Sequence, residues 1–376
     1  MRTTRQDRRR SRRRGALVIA PIAAMLALGS AAIAAGQTPA GVPATTVFAA
    51  PPAGSPGHLV GIAADRGSVY VGTHQAADGS PNLPSHVYRY SAQSGQLLRD
   101  YSITGQATTG QGLTNMATGR NGLLYILDRH PARMITLDPV TGAQRTYATF
   151  GDVPSCTAPG AQPGNCSDTQ ADAPAYPDDI AFGPDGSAYV TDISQALVWR
   201  VPPGGGPARV WLTDQRLESL FGPCGIRLAD PRTIVLAQCT YGLTDPAQIA
   251  TGTGRIYTLP INHDGTAGAL HQIWQGEPGE ASDGIAIGQS GRIYVALALG
   301  NALLTLDSTG KEITRTPATP TEAGALPVPY DNPASVAILA DGRAVITNQA
   351  FLGGPTSDQV VLQTRVPDRA ERLYHP

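Results

Sequence analysis

Asp179-Ile180-Ala181-Phe182-Gly183-Pro184-Asp185-Gly186-Ser187-Ala188-Tyr189-Val190-Thr191-Asp192, then Leu197-Val198-Trp199-Arg200-Val201-Pro202, carries the architecture of this chain. Apolar and polar residues alternate, a Pro-Asp-Gly turn interrupts them, and the alternation resumes. Period two broken by a Gly turn is the signature of a strand hairpin. Residues 284–296 with 303–307 are a close copy, turning at Gln289-Ser290-Gly291. Four more copies follow the same grammar: 60–63 and 68–72 with 87–90; 123–128 with 134–138; 225–228 and 233–236 with 255–259; and 336–338 and 344–347 with 360–362. Four strands recurring every forty to sixty residues or so is the period of a propeller blade, not of a helical solenoid. Beyond the N-terminus nothing reads as a long amphipathic helix. The expected fold is all-β, a six-bladed β-propeller of four-stranded antiparallel blades over residues 45–376. A ring of blades exposes sheet edges unless it is closed. Thr45-Thr46-Val47-Phe48-Ala49-Ala50 precedes the first blade and is expected to pair onto the last as a clasp; the alternative is a linker, since Pro51 and Pro52 follow.

The first residues read as an address. Eight Arg lie within the first fourteen positions, an apolar stretch runs from 15 to 35, and Ala32-Ile33-Ala34 has the small-x-small pattern of a signal-peptidase site. Residues 1–35 are therefore expected to be a signal peptide, and 36–44 a short flexible leader. Ser11-Arg12-Arg13-Arg14 suits twin-arginine export, and general secretion fits as well. The destination is outside the cell or in a bacterial envelope, with no membrane span left after cleavage. Residues 1–34 hold eight basic residues and one acidic, so 20 basic and 28 acidic residues remain, a net charge of −8. Such a domain has no electrostatic reason to hold phosphate backbones, and nucleic acid is not an expected partner. A monomer acting on a small molecule is expected.

The four cysteines fit export. Cys156 and Cys166 bracket a Pro- and Gly-rich insert, and Cys224 and Cys239 flank the hairpin 226–236, where a cross-strand pair comes within disulfide range. Local pairing, 156–166 and 224–239, is expected. The spacing is poor for a four-cysteine zinc site. No Gly-rich phosphate loop joins a strand to a helix, and no Gly-x-Ser-x-Gly elbow occurs in such a setting.

In a propeller the starts of the innermost strands gather at one mouth of the central channel. Aligned on their turn glycines, the blades present Val60, Thr114, Asp178, Cys224, Asp283 and Ala334 there, with Asn115, Asp179 and Ser335 beside them. The ends of the second strands add His74, Asp128, His130, Asp192, Gln238, Asn301 and Asn348. Converging carboxylates and amides are what a hard cation such as Ca²⁺ requires.

Pro177-Asp178-Asp179-Ile180-Ala181-Phe182-Gly183-Pro184-Asp185-Gly186, Phe221-Gly222-Pro223-Cys224-Gly225-Ile226 and Ser282-Asp283-Gly284-Ile285-Ala286 resemble the inner-strand starts of the SMP-30/gluconolactonase (LRE-like) family. The resemblance implies a six-bladed propeller with one divalent metal at the channel mouth and hydrolysis of lactones or related esters. It places Asp283, in Ser282-Asp283-Gly284, as metal ligand and general base. Asn115 and Asp178 are further candidate metal ligands, His74 and His130 proton carriers, and Asp192, Asn301 and Asn348 substrate contacts. Where the family has an Asn ligand this chain has Cys224, and where it has a Glu this chain has Val60. A non-catalytic propeller that binds a sugar, peptide or protein partner is the competing expectation.

Overall fold

The computed structural model describes residues 44–375 except 56, 76–82, 109–111, 163, 168–172 and 372. The expected signal peptide, and the leader up to residue 43, lie outside the described residues. Six small antiparallel sheets form a propeller ring, as the repeat predicts. The inner strands are Leu59–Ala64, Leu113–Thr118, Pro177–Phe182, Pro223–Asp230, Ser282–Ile287 and Pro333–Ile338, one for each of blades 1 to 6. Each touches the next, and the last touches the first. The strand Thr46–Ala49 pairs antiparallel with Val360–Arg365, with Thr46 opposite Gln363 and Val47 opposite Leu362. Blade 6 therefore takes its outermost strand from the N-terminal side of the chain, and the clasp closes the ring.

The alternating apolar residues pack between neighbouring blades. Trp199 and Val190 of blade 3 meet Tyr125, Leu127 and Phe150 of blade 2. Ile226 and Leu236 of blade 4 meet Tyr189 and Val198 of blade 3. Burying each such side chain contributes about 1.5–3 kcal/mol, so stability accrues interface by interface.

The inner strands share one irregularity. In blade 3, Pro177 pairs with Asp192 and Ile180 with Val190, so residues 178 and 179 together oppose Thr191. The same two-against-one bulge occurs at 60–61, 114–115, 224–225, 283–284 and 334–335. A bulge bends its strand and re-aims its side chains, and bulges favour active-site rims. Here six of them ring one end of the channel. Threonines lock two in place. The Thr191 hydroxyl accepts from Asp179 N (2.9 Å) and donates to Cys224 O in the next blade (2.6 Å). Thr347 accepts from Ser335 N (3.0 Å) and donates to Val60 O (2.6 Å), tying blade 6 to blade 1.

Both expected disulfides are present, Cys156–Cys166 and Cys224–Cys239, with Cα separations of 4.9 and 5.8 Å. The second is not the ladder pair the hairpin suggests. Cys224 sits in the blade 4 bulge, and Cys239 follows Gln238, which pairs with Pro223. The bulge, not the ladder, brings the two sulfurs together.

Candidate functional site

The first residue of each bulge belongs to the rim of the channel. Asp178 and Asp283 stand there in blades 3 and 5, each half-buried. Burial drives the Asp178 carboxyl up to about 8; Asp179 pushes it the same way, and Arg129 opposes. Asp283 is held well above the carboxylate range by burial first, then by Asp178 and Asp179. A poorly hydrated carboxyl with a carboxylate nearby ionises less readily. Between them, in blade 4, the Cys224–Cys239 disulfide lies against Asp283, with Cys239 Sγ 3.8 Å from Asp283 Oδ1. The other rim positions bring no free oxygen. Val60 and Ala334 are apolar, and the Thr114 hydroxyl donates to Pro177 O (2.8 Å).

The second residue of each bulge does different work. In blades 1, 4 and 5 it is Gly61, Gly225 or Gly284, and a Cβ there would stand 2.4, 2.7 or 2.8 Å from a backbone carbonyl of the next blade. In blades 2, 3 and 6 it is Asn115, Asp179 or Ser335, and these fill the axis. Asn115 Oδ1 accepts from Ile62 N (3.1 Å) and Met116 N (2.9 Å), while its Nδ2 donates to Ser335 Oγ (3.3 Å). Its amide oxygen is thus committed to backbone, which corrects the expectation that Asn115 joins Asp178 and Asp283 as a ligand. Asp179 accepts from Ile180 N and Ile226 N and pairs with Arg227 Nη1 at 2.7 Å. Arg227 Nε in turn meets Glu371 of the C-terminal tail at 2.8 Å. Burial works against the Arg227 charge, but Asp179 and Glu371 outweigh it and hold the guanidinium protonated. A polar column of Asp179, Arg227 and Glu371 therefore lies beneath the mouth.

One wall of the mouth comes from blades 1 to 3. The Arg129 guanidinium carbon lies 3.3 Å from the Tyr176 ring centre, a cation–π contact. The Tyr176 hydroxyl lies 3.3 Å from His74 Nε2, and His74 Nδ1 lies 2.7 Å from Leu113 O. Burial and then Arg129 push the His74 pKa down to about 3. His74 is therefore neutral, with Nδ1–H donating to Leu113 and Nε2 accepting from Tyr176. It orients Tyr176, whose hydroxyl feels both Asp178 and Asp283. His130 is half-buried beside Arg129; its Nδ1 is buried with no partner among the described residues, and burial and Arg129 lower its pKa.

The three expected substrate contacts have other work. Asp192 is fully buried and accepts from Tyr176 N, Gln195 N, Gln195 Nε2 and Trp199 Nε1 at 2.9–3.1 Å. Asn348, also fully buried, donates to Pro329 O and Asp358 O and accepts from Asp331 N. Asn301 sits in a left-handed turn (φ 49°) and accepts from Asn332 N. Polar residues at the ends of second strands anchor the following loops, so their side chains point into protein rather than the channel. Tyr176 and Arg129 were the wall residues that the sequence did not reveal. Only the equivalence of strand ends with the rim, extended into the preceding loop, points to them.

At the opposite end of the channel a cavity of about 680 Å³ opens beside Asp65, Arg66, Arg120, Glu371, Leu373 and His375. It sits by the inner hairpin turns, about 20 Å of strand away from the bulges.

The architecture and rim define a six-bladed propeller with an acidic channel mouth. No protein-family model and no curated protein sequence match this chain. Solved structures do share its fold. Regucalcin from Agrobacterium tumefaciens, described as a calcium-binding protein, superposes with a TM-score of 0.55 at 15% identity over 86% of this chain and 95% of its own. A gluconolactonase from Xanthomonas campestris gives 0.52 at 14% identity over 83% and 87%. The PQQ-bound aldose sugar dehydrogenase of Streptomyces coelicolor gives 0.56 at 14% identity over 86% and 98%. Propellers with different chemistries are thus similar to this chain to the same degree, and the fold alone does not select among them.

Proposed function

We propose that this chain is an exported hydrolase of lactones or related esters that uses a divalent cation at Asp178 and Asp283. The observation that carries this is that two half-buried carboxyl groups at equivalent bulge positions of blades 3 and 5 are both lifted out of the ordinary carboxylate range, by burial first and then by neighbouring aspartates: Asp179 and Asp192 at Asp178, Asp178 and Asp179 at Asp283. Arg129 opposes that effect at Asp178, but no cationic side chain acts on Asp283. Paired oxygens without a full countercharge suit a hard cation, with water completing its shell. Asp178 and Asp283 would hold it, and a hard cation there supplies Lewis-acid polarisation of a carbonyl. Asp283 is the group placed to take the proton of an attacking water. The Tyr176 hydroxyl, its proton given to neutral His74, is left as an acceptor for a substrate hydroxyl.

Export is favoured by the two disulfides and by the absence, among the described residues, of any helix long and apolar enough to cross a membrane. A small molecule is the partner that this reading implies. Calorimetric titration with Ca²⁺, Mn²⁺ and Zn²⁺, followed by hydrolysis of glucono-1,5-lactone with and without EDTA, tests the reading. Asp283→Asn should cost about 10²-fold or more in kcat. A folded wild-type protein that binds no cation and hydrolyses no lactone would sink the proposal. The apolar rim residues Val60 and Ala334 would then favour a binding propeller instead.

A further inference from the structure

The disulfide at the rim stands where a ligand would. Cys224 is the first bulge residue of blade 4; the same position holds Asp178 in blade 3 and Asp283 in blade 5. Cys224 is fully buried, Cys239 is 8% exposed, and one oxygen of Asp283 and the two sulfurs all lie within 4.8 Å of one another. No other His, Cys, Asp and Glu side chains among the described residues gather in this way. The second disulfide, in the loop between blades 2 and 3, belongs to no such group. Two thiolates bound to one tetrahedral cation sit roughly 3.8 Å apart, from metal–sulfur bonds of about 2.3 Å. A disulfide holds them at about 2 Å. The sulfurs need to part by less than about 2 Å, within the reach of side-chain rotation.

We propose that the Cys224–Cys239 disulfide is the closed, oxidised form of a thiolate metal centre, and that reduction opens a Cys₂Asp site with Asp283 for a borderline cation of the zinc type. Reduction breaks the S–S bond. Two equivalents of a small thiol supply two electrons and two protons and leave as their own disulfide. Cation binding then releases both cysteine protons to solvent. Three protein ligands leave one position open at the mouth, the arrangement of a catalytic rather than a purely structural zinc site. The oxidised chain offers only carboxylates and suits hard cations; the reduced chain suits softer ones.

Co²⁺ is the probe, because its thiolate complexes absorb strongly. The Cys156→Ser/Cys166→Ser double variant is reduced with dithiothreitol, desalted without oxygen and titrated with Co²⁺. The expected result is a sulfur-to-cobalt charge-transfer band that saturates at one cation per chain and is absent from the oxidised protein. Adding Cys224→Ser should abolish the thiolate-pair spectrum. Adding Asp283→Asn should shift the titration about tenfold or more toward weaker binding, at least the cost of losing an outer partner of a metal ligand. A reduced, folded chain without the band overturns the proposal. So does a band that survives Cys224→Ser. Loss of the far-ultraviolet β-sheet signal on reduction also overturns it, because the centre requires the intact ring. Hard-cation binding and lactone hydrolysis are measured on the oxidised protein, so either idea can fail alone.

Discussion

Asp178 and Asp283 make the most specific statement at the level of single residues. In the cation-free protein the folded chain keeps a proton on Asp178 up to about pH 8, whereas a free Asp releases it near 4. Between those values the folded state binds more protons than the unfolded one. Raising the pH through that window therefore lowers stability, by at most about 1.4 kcal/mol per pH unit for each such proton. Thermal melts in EDTA from pH 5 to 8.5 should show the decline. Asp178→Asn or Asp283→Asn should flatten it, and a flat wild-type profile would contradict the electrostatics described for the rim. The two aspartates were readable in the sequence because both begin inner strands at the same offset from a turn glycine. Asp192 and Asn348 looked equally suited by position. Their side chains were misread because strand-end polar groups satisfy loop N–H groups first, a competition that spacing does not display. Asn115 is a candidate ligand one residue past the rim position of its blade. It aligns with Asp179 and not Asp178, and a one-residue shift inside a bulge turns a side chain from rim to axis.

The bulge is the element that converts a repeated hairpin into a rim. Its second residue must be either a glycine or a polar group that fits the axis. Gly284→Ala should cost about 1–3 kcal/mol, because its Cβ would lie 2.8 Å from Ala334 O, a backbone atom that cannot easily yield. Gly324→Ala, where no atom lies within 4 Å, should be nearly neutral. Urea melts of the two variants check the contrast. Hairpins, turn glycines and the clasp were legible because their period and chemistry are local. The bulges were not, since one extra residue leaves the alternation on either side intact. The clasp carries its own prediction. A chain that begins at residue 51 exposes the Val360–Arg365 edge, so it should melt earlier and self-associate with rising concentration, as sedimentation velocity would report.

Across the whole molecule, the C-terminal tail ties the blades from below. Asp368 accepts from Ser290 N and Ser290 Oγ, Glu371 bridges Gly288 and grips Arg227, and His375 Nδ1 lies 2.6 Å from Thr118 O. Arg227→Met strands the Asp179 and Glu371 carboxyls in the axis. It should cost about 3–5 kcal/mol, the usual penalty for orphaning a buried charge partner. Adding Glu371→Gln to that variant should recover part of the loss, which a double-mutant cycle by denaturant melts would measure. Nothing in the tail's sequence announces this pairing, because Arg227 and Glu371 are brought together only by closure of the ring. The column they build has a kinetic corollary. With the middle of the axis blocked, whatever enters at the carboxylate rim must leave by the same door, so a spent molecule stands in the way of the next arrival. Slow-leaving products should therefore act as competitive inhibitors, raising KM and leaving kcat untouched.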